Sequence, residues 1–260
     1  MKVSVIVPTY NEAGVIGECL ESLAKKTYKS MEIIVVDDGS TDQTPEKIPN
    51  TVDVYKQNHK GAGAARNLGA KHAKGEVLVF VDADMIFDKD FIKNLIAPIE
   101  NGEAIGTFSK EEYLANKDNL WAVCWNINRG LPRDRMHPTT YPDHQPVYRA
   151  ILKSKFNEVG GFDEKAGYTD DWSLSKRLGV EAVVAKGAIF YHKNPDSLKD
   201  VFVQAKWMAK RAYKFGIFGG LIKAWLPIRL SLGFMLFKLV YGLGATMGVL
   251  EYFIFGKVAK

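Results

Sequence analysis

Residues 77–84 read Val-Leu-Val-Phe-Val-Asp-Ala-Asp, a run of apolar residues that ends in two carboxylates separated by one alanine. The apolar run is typical of a strand buried on both faces of a sheet. Strand side chains alternate between faces, so Asp82 and Asp84 project to the same side if extended geometry continues past Val81. Two interpretations are open at this point: ligands for a hard divalent cation such as Mg²⁺ or Mn²⁺, or a turn and helix cap.

Short apolar runs and helical patterns alternate along the amino-terminal part of the chain. Strands are predicted at Val3–Val7, Glu32–Val36, Val52–Gln57 and Val77–Val81, and helices at about Ala13–Lys25, Gln43–Ile48 and Gly63–Lys74. This order predicts an α/β fold with a mostly parallel sheet and covering helices. In such a sheet, ligands bind beyond the carboxyl ends of the strands.

Polar clusters follow three of these strands and open one of the helices. They are Pro8-Thr9-Tyr10-Asn11-Glu12, Asp37-Asp38-Gly39-Ser40-Thr41-Asp42, Gly61-Ala62-Gly63-Ala64-Ala65-Arg66-Asn67 and Asp82-Ala83-Asp84. Each cluster alone can be explained as a turn or a helix cap. Because all of them are predicted at one edge of the sheet, together they indicate a binding site.

The residue types in these clusters suit a nucleoside diphosphate. The acidic turn at Asp37 and Asp38 can accept hydrogen bonds from a base or ribose, and a metal at Asp82 and Asp84 needs a phosphate ligand. Lys60 and Arg66 can neutralise that diphosphate. Arg66 takes the place of the third glycine of a dinucleotide fingerprint, and no Walker loop is present, which argues against hydride transfer and ATP hydrolysis.

A second acidic pair, Asp170-Asp171, precedes a predicted helix. A carboxylate at this position can act as a general base that accepts a proton from an attacking hydroxyl group. We assign the reactive role to Asp171 and a supporting or capping role to Asp170. Either residue can instead be a simple cap of the helix that starts at Trp172.

The segment between Gly102 and Pro146 has a weaker pattern and contains four prolines after residue 131. It is predicted to be a long surface loop or lid. Its two histidines, His137 and His144, match no metal-binding spacing and are predicted to be solvated.

The composition is that of a globular protein: 260 residues, 47% of them hydrophobic and 25% charged. The two cysteines, Cys19 and Cys124, provide neither a disulfide framework nor a zinc site. Met1-Lys2 leads directly into the first predicted strand without the pattern of a signal peptide, so we expect the bulk of the protein in the cytosol.

The carboxyl-terminal segment is apolar and basic. From Val201 onward the chain has nine Lys and Arg residues and a single acidic residue, Glu251, so this segment has a net charge of about +8. Because the net charge of the whole chain is +5, the residues before Val201 carry about −3. No nucleic-acid motif accompanies this charge, so an anionic membrane surface is the predicted partner. Leu230–Leu250 has the length of a membrane span but contains Lys238.

Three interpretations of this segment are open: a true span, an in-plane amphipathic hairpin, and a buried interface of a homodimer. The sequence predicts attachment at the cytoplasmic face of the cell membrane. The predicted domains are residues 1–198, which carry the α/β fold, and residues 199–260, a helical membrane-association segment.

Several ordered motifs resemble those of the family 2 glycosyltransferases, which have the GT-A fold. They are the four clusters above, Gly160-Gly161-Phe162-Asp163-Glu164, and Asp170-Asp171, and the likeness extends from about Met1 to His192. The resemblance implies an inverting enzyme that moves a sugar from a nucleotide-diphosphate sugar, such as a UDP- or GDP-sugar, to an acceptor.

The resemblance also implies roles for individual residues. Pro8, Tyr10 and Glu12 would line the nucleoside site, and Asp38 would read the base. Asp82 would contact ribose or metal, Asp84 would bind Mn²⁺ or Mg²⁺, and Asp171 would be the catalytic base. Apart from the resemblance, Asp37, Lys60, Arg66 and Ala83 of the clusters described above are also predicted at the nucleotide. His192 resembles a histidine that some relatives place on the metal, and it can equally be structural.

One departure from related processive synthases is informative. Their Gln-x-x-Arg-Trp motif is absent, and the chain offers only Gln204-Ala205-Lys206-Trp207. We therefore expect transfer of a single sugar to a lipid-linked or other membrane-associated acceptor. The alternatives are a soluble glycosyltransferase that dimerises through its carboxyl-terminal helices and a non-catalytic module that binds nucleotide sugars.

Overall fold

The computed structural model describes residues 1–164, 172–226 and 232–258. The chain divides into two compact units. The first contains Met1–Glu112 and Thr139–Tyr191, and the second contains Tyr113–Pro138 and His192–Lys260. The predicted domains, residues 1–198 and 199–260, differ from these units because the second unit begins earlier and also includes an inserted segment.

The described strands and helices alternate through the first unit, and helices dominate the second. The strands are β1 Val3–Thr9, β2 Met31–Asp37, β3 Asp53–Lys56, β4 Val77–Phe80, β5 Met85–Phe87, β6 Gly106–Phe108, β7 Glu112–Leu114, β8 His144–Gln145, β9 Ala150–Leu152, β10 Ala182–Val184 and β11 Phe190–His192. The helices are α1 Ile16–Ala24, α2 Ala62–His72, α3 Phe91–Glu100, α4 Leu120–Asn128, α5 Lys153–Glu158, α6 Ser173–Leu178, α7 Leu198–Met208, α8 Gly216–Trp225 and α9 Leu232–Phe255, with a 3-10 turn at Thr44–Lys47.

The first unit is built on a mixed sheet of eight strands in the order β3-β2-β1-β4-β9-β6-β10-β8. The strands β3, β2, β1 and β4 run parallel, and β9 is antiparallel to β4 and β6. The predicted α/β class with a mostly parallel sheet is therefore confirmed.

Alternate side chains of the central strands enter two apolar cores on opposite faces of the sheet. On β1, Val5 and Val7 belong to the core that contains α1 and α3 residues such as Leu20 and Leu95. Ile6 belongs to the core on the other face, with Ala65 of α2. Burial on both faces explains why these strands are nearly continuous runs of apolar residues.

The second unit is a helical assembly with its own apolar core, which includes Trp125 of α4, Val201 of α7 and Phe237 of α9. Two glycines of α9 allow close packing against α7. A Cβ atom at Gly244 would collide with the carbonyl oxygen of Phe202, and one at Gly248 would collide with that of Lys206. This is the close helix contact that small residues permit.

One local prediction was wrong, and the condition placed on the geometry of the acidic pair is not met. The segment between Gly102 and Pro146 is not a long loop or lid: it contains short strands and α4, whose first turn is capped by the Asn119 side chain accepting hydrogen bonds from Trp121 N at 2.9 Å and Ala122 N at 3.1 Å. Extended geometry also stops before the acidic pair, because β4 ends at Phe80 and the Met85 N–H donates to the Asp82 carbonyl oxygen at 3.3 Å.

Lys26, just after α1, is a buried cation in the first unit. Its side chain is 3% exposed and donates from Nζ to the Phe87 carbonyl oxygen at 2.7 Å. Burial lowers the pKa of Lys26 to about 8, although the negative charge of Asp88 opposes this shift. Burial therefore disfavours the charged form in the folded state.

Removal of this buried amine should change the pH dependence of stability. Between pH 8 and 10.5 the unfolded chain holds a proton on Lys26 that the folded chain has lost, so the free energy of unfolding rises with pH. Lys26→Met lacks this amine, so the free energy of unfolding of wild type should rise relative to that of Lys26→Met, by up to about 1.4 kcal/mol per pH unit across this window. Urea unfolding of both proteins at a series of pH values measures this difference in stability.

The matched control is Lys29→Met, which removes an exposed ammonium group three residues further along the chain. This variant should follow the wild-type pH profile. Parallel profiles for wild type and Lys26→Met would contradict the assignment of a strongly perturbed amine to Lys26.

Candidate functional site

The loops after β1 and β2 lie side by side because the two strands pair in parallel, with Thr9 opposite Asp37. The backbone continues this pairing beyond the strands, since the Asp38 N–H donates to the Thr9 carbonyl oxygen at 2.8 Å. Polar clusters that are separated along the chain therefore share one edge of the sheet.

Hydrogen bonds that involve side chains connect these two loops. Asn11 adopts the left-handed conformation, with φ of 57°, and its Oδ1 accepts a hydrogen bond from Thr41 N at 2.8 Å. In return, Asn11 N donates to Ser40 Oγ at 3.0 Å, and Glu12 N donates to Thr44 Oγ1 at 2.7 Å. Asparagine tolerates positive φ better than most residues, which explains its place in this turn.

Asp38 is buried and organises the loop that leads into α2. Its Oδ1 accepts hydrogen bonds from Gln57 Nε2 at 2.6 Å and Lys60 N at 2.9 Å, and its Oδ2 accepts one from Gly61 N at 2.8 Å. His59 Nδ1 lies 2.9 Å from the same Oδ2. The Lys60 side chain is exposed at this edge. The base-reading role of Asp38 stays a prediction, whereas its contacts with this loop are observed.

An exposed aromatic stack stands beside Asp38. The rings of Tyr10 and His59 have centroids 4.0 Å apart and are inclined by 25°. Tyr10 was predicted at the nucleoside site, but His59 was not predicted. The available signal was its position directly before Lys60 in the loop that carries the predicted phosphate-binding residues.

Asp82 lies between two guanidinium groups. Arg66 Nη2 of α2 is 2.8 Å from Asp82 Oδ1, and Arg149 Nη1, from the residue before β9, is 3.1 Å from Oδ2. Burial alone would raise the pKa of Asp82, but the charges of Arg149 and Arg66 outweigh it and hold this pKa well below its usual range. The three side chains form a cluster with net positive charge at the carboxyl end of β4.

A direct contact joins two of the motifs that carry the family resemblance. Asn67 Nδ2 donates to the Phe162 carbonyl oxygen at 3.0 Å, and Phe162 N donates to Asn67 Oδ1 at 2.8 Å. The Arg66 guanidinium carbon lies 5.5 Å from the centroid of the Phe162 ring. The Gly-Gly-Phe-Asp-Glu segment thus contacts the middle of α2 at Asn67 and packs against Arg66, which contacts the carboxylate of Asp82.

Of the predicted site residues, two are not described and one belongs to the second unit. Asp170 and Asp171 lie outside the described residues. His192 belongs to the second unit, where its carbonyl oxygen accepts a hydrogen bond from Ala115 N at 2.9 Å. Within residues 1–164, 172–226 and 232–258, no group of three or more His, Cys, Asp and Glu side chains is arranged to hold a metal ion.

The chemistry of the acidic pair nevertheless fits a divalent cation. Asp82 and Asp84 supply carboxylate oxygens from one turn, and Mg²⁺ is commonly held by one or two carboxylates with phosphate and water completing its shell. The Asp82 side chain remains 33% exposed and Asp84 is partly exposed, so both lie near solvent.

Comparison with known proteins establishes the family. The family described as "Glycosyl transferase family 2" matches residues 4–160. This match covers more than half of the chain, and the chain belongs to that family. Glycosyltransferase GlyG of Streptococcus pneumoniae is 40% identical over 178 residues, which are 60% of this chain and 58% of GlyG.

Solved structures share the fold. TarS 1–349 of S. aureus in complex with UDP-GlcNAc has a TM-score of 0.59 at 18% identity, over 100% of this chain and 93% of that one. Mannosyltransferase PcManGT of Pyrobaculum calidifontis, in complex with GDP-Man and Mn²⁺, has a TM-score of 0.58 at 22% identity, over 96% of this chain and 74% of that one. The chain spans less than two thirds of the length of the first sequence relatives it matches.

Arg149→Met tests the ionic cluster at Asp82. The substitution removes a charge-assisted hydrogen bond from a partly buried carboxylate, so we expect the free energy of unfolding at pH 7 to fall by about 1–2 kcal/mol. Lys155→Met is the control, because the pair of Lys155 with Glu158 is solvent-exposed and should contribute less than about 0.5 kcal/mol. Equal losses of stability in the two variants, measured by urea unfolding, would contradict a stabilising role of the Arg149–Asp82 ion pair.

Proposed function

We propose that the protein is a metal-dependent inverting glycosyltransferase that moves a single sugar from a nucleotide-diphosphate sugar to a lipid-linked or other membrane-associated acceptor. The observation that carries the proposal is the cluster of Asp82, Arg66 and Arg149 at the carboxyl end of β4 in a family 2 chain. Carboxylate and guanidinium groups at that position are the groups that a metal-bound diphosphate requires.

The donor would bind at the shared edge of the first unit. Tyr10 and Glu12 of the loop after β1, with Pro8 near the end of that strand, would line the nucleoside. The stack of Tyr10 on His59 offers an aromatic surface there. Two structures with the same fold contain UDP-GlcNAc and GDP-Man, which supports a UDP- or GDP-sugar as the donor class.

Asp82 and Asp84 would hold Mn²⁺ or Mg²⁺, which would supply positive charge to the departing diphosphate. The acceptor hydroxyl oxygen forms a bond to the anomeric carbon while the bond from that carbon to the diphosphate oxygen breaks. Asp171 would take the hydroxyl proton, and Arg66 would stabilise the charge of the leaving nucleoside diphosphate. Attack opposite the leaving group inverts the anomeric carbon.

The proposed location is the cytoplasmic face of the cell membrane. Support comes from the charge of about +8 after Val201 and from α9, where an 18-residue window within Gly233–Phe255 has a mean hydropathy of 1.5. By length and composition α9 is the one helix of the described chain that could cross a membrane.

A thermal-shift screen tests donor binding. UDP-, GDP- and dTDP-sugars are added to the full chain with and without Mn²⁺, and we expect one nucleotide class to raise Tm in the presence of Mn²⁺. A ligand at a hundred times its Kd stabilises the folded state by about 2.7 kcal/mol. No shift with any of these donors would contradict the nucleotide-sugar site.

Two substitutions separate metal binding from proton transfer. Asp84→Ala should abolish the Mn²⁺-dependent part of the donor-induced Tm shift and lower release of the nucleoside diphosphate. Asp171→Ala should retain the Tm shift but lower kcat by about 10²–10⁴-fold, the usual contribution of a general base. Asp53→Ala, an exposed carboxylate at the start of β3, is the control. Full turnover in both test variants would overturn the mechanism.

A further inference from the structure

Two helices of the second unit carry large apolar side chains that are exposed. On α9, Met235, Leu239, Leu243 and Met247 are 51%, 50%, 49% and 43% exposed. Residues four apart lie on one side of a helix, so these four form a single line, which we call the α9 stripe. Phe218 and Ile222 of α8, 74% and 61% exposed, form a second line, the α8 stripe.

The opposite side of α9 packs into the unit. Phe234, Phe237 and Val249 belong to its buried core. Lys238, the charge that interrupts the apolar sequence, is 4% exposed, and its Nζ donates to Asn128 Oδ1 at 2.7 Å and to the Leu226 carbonyl oxygen at 3.0 Å. In α9, 44% of the apolar 18-residue window is buried in protein. The helix therefore has one exposed apolar side, whereas an isolated membrane span is apolar and exposed on all sides.

The charges on this unit favour an anionic surface as the partner. Lys214, Lys223 and Lys257 are exposed near the ends of α8 and α9. Glu251 is the one acidic residue of α9, and its carboxylate lies 2.7 Å from Lys206 Nζ and 2.9 Å from Lys210 Nζ, so it does not offset the exposed lysines. A second copy of the chain would bring like charges together, whereas anionic lipid headgroups would neutralise them.

We propose that the α8 and α9 stripes form a docking face that inserts into one leaflet of an anionic bilayer, with α9 parallel to the membrane plane. The stripes enter the boundary between headgroups and acyl chains, and the exposed lysines contact phosphate groups. This inference rests on the proposed function for its biological purpose, namely access to a membrane-associated acceptor. The docking itself requires no sugar transfer.

Flotation with lipid vesicles tests the docking face on the full chain. Wild type should float with vesicles of phosphatidylcholine and phosphatidylglycerol, and float much less with phosphatidylcholine alone or in high salt. The double variant Leu239→Glu/Leu243→Glu should lose at least about tenfold in partitioning, because it removes apolar area and adds negative charge. Val180→Glu, at a residue of the first unit that is 50% exposed, should bind as wild type does.

The other possible occupants give different results. If alkaline carbonate fails to release wild type from cell membranes, α9 spans the bilayer and the in-plane arrangement is wrong. If wild type does not float but sediments as a dimer that Leu239→Glu/Leu243→Glu dissociates, a second copy covers the face and the proposal is overturned. Equal flotation of wild type and the double variant overturns it as well.

The donor-induced Tm shift, measured on the same samples, distinguishes this proposal from the proposed function. A double variant that keeps the shift and loses flotation is folded and supports the docking face. Wild type that floats without any donor-induced shift leaves the docking face supported and contradicts the glycosyltransferase site. Loss of both properties in the double variant is resolved by the single variants Leu239→Gln and Leu243→Gln, each of which should keep the shift and weaken flotation.

Discussion

Parallel pairing of β1 with β2 on one side and β4 on the other determines where the polar loops of the first unit lie. Val3 is opposite Met31 on β2 and opposite Val77 on β4, so the three strands begin at one level and end toward one edge. The apolar side chains of these strands fill cores on both faces, which leaves the edge as the place for polar groups. A slip of one residue in any strand would exchange its two faces and displace its loop.

The loops at this edge are held by carboxylates that accept hydrogen bonds from other parts of the first unit. Asp38 is 3% exposed, and a carboxylate with so little contact with water requires donors from the protein. Its donors come from the loop before α2, while Asp82 draws Arg66 from α2 itself. Two acidic residues on different loops therefore contact the same helix, Asp38 at its N-cap Gly61 and Asp82 through Arg66 in the second turn. A site that binds a highly charged ligand benefits from such pre-organisation, because its groups need little rearrangement when the ligand arrives.

Sequence patterns predicted the strands of the parallel sheet and the family, but not all contacts at the edge. The apolar runs are local signals, and their length and alternation with helices are sufficient to indicate the sheet. Arg149 escaped prediction because it is 67 residues from its partner Asp82 and belongs to no recognisable motif. The helix α4 was missed because its sequence, Leu-Trp-Ala-Val-Cys-Trp-Asn-Ile-Asn, combines apolar residues on several sides with a following proline-rich stretch. Its N-cap at Asn119 was the available signal.

The two charged residues of α9 affect its hydropathy differently from its exposed surface. Composition counts Lys238 and Glu251 as charges within a candidate span, and this count weighs against insertion in lipid. In the folded unit both charges are turned toward protein partners, Asn128 in one case and Lys206 and Lys210 in the other. The charges therefore do not interrupt the exposed α9 stripe. The same polar contacts bind α9 to its neighbours, and a helix held in this way keeps one apolar side outward. An average of hydropathy along the sequence does not record on which side of the helix each charged side chain lies. That arrangement around the helix axis distinguishes a helix with one apolar side from a helix that is apolar all round.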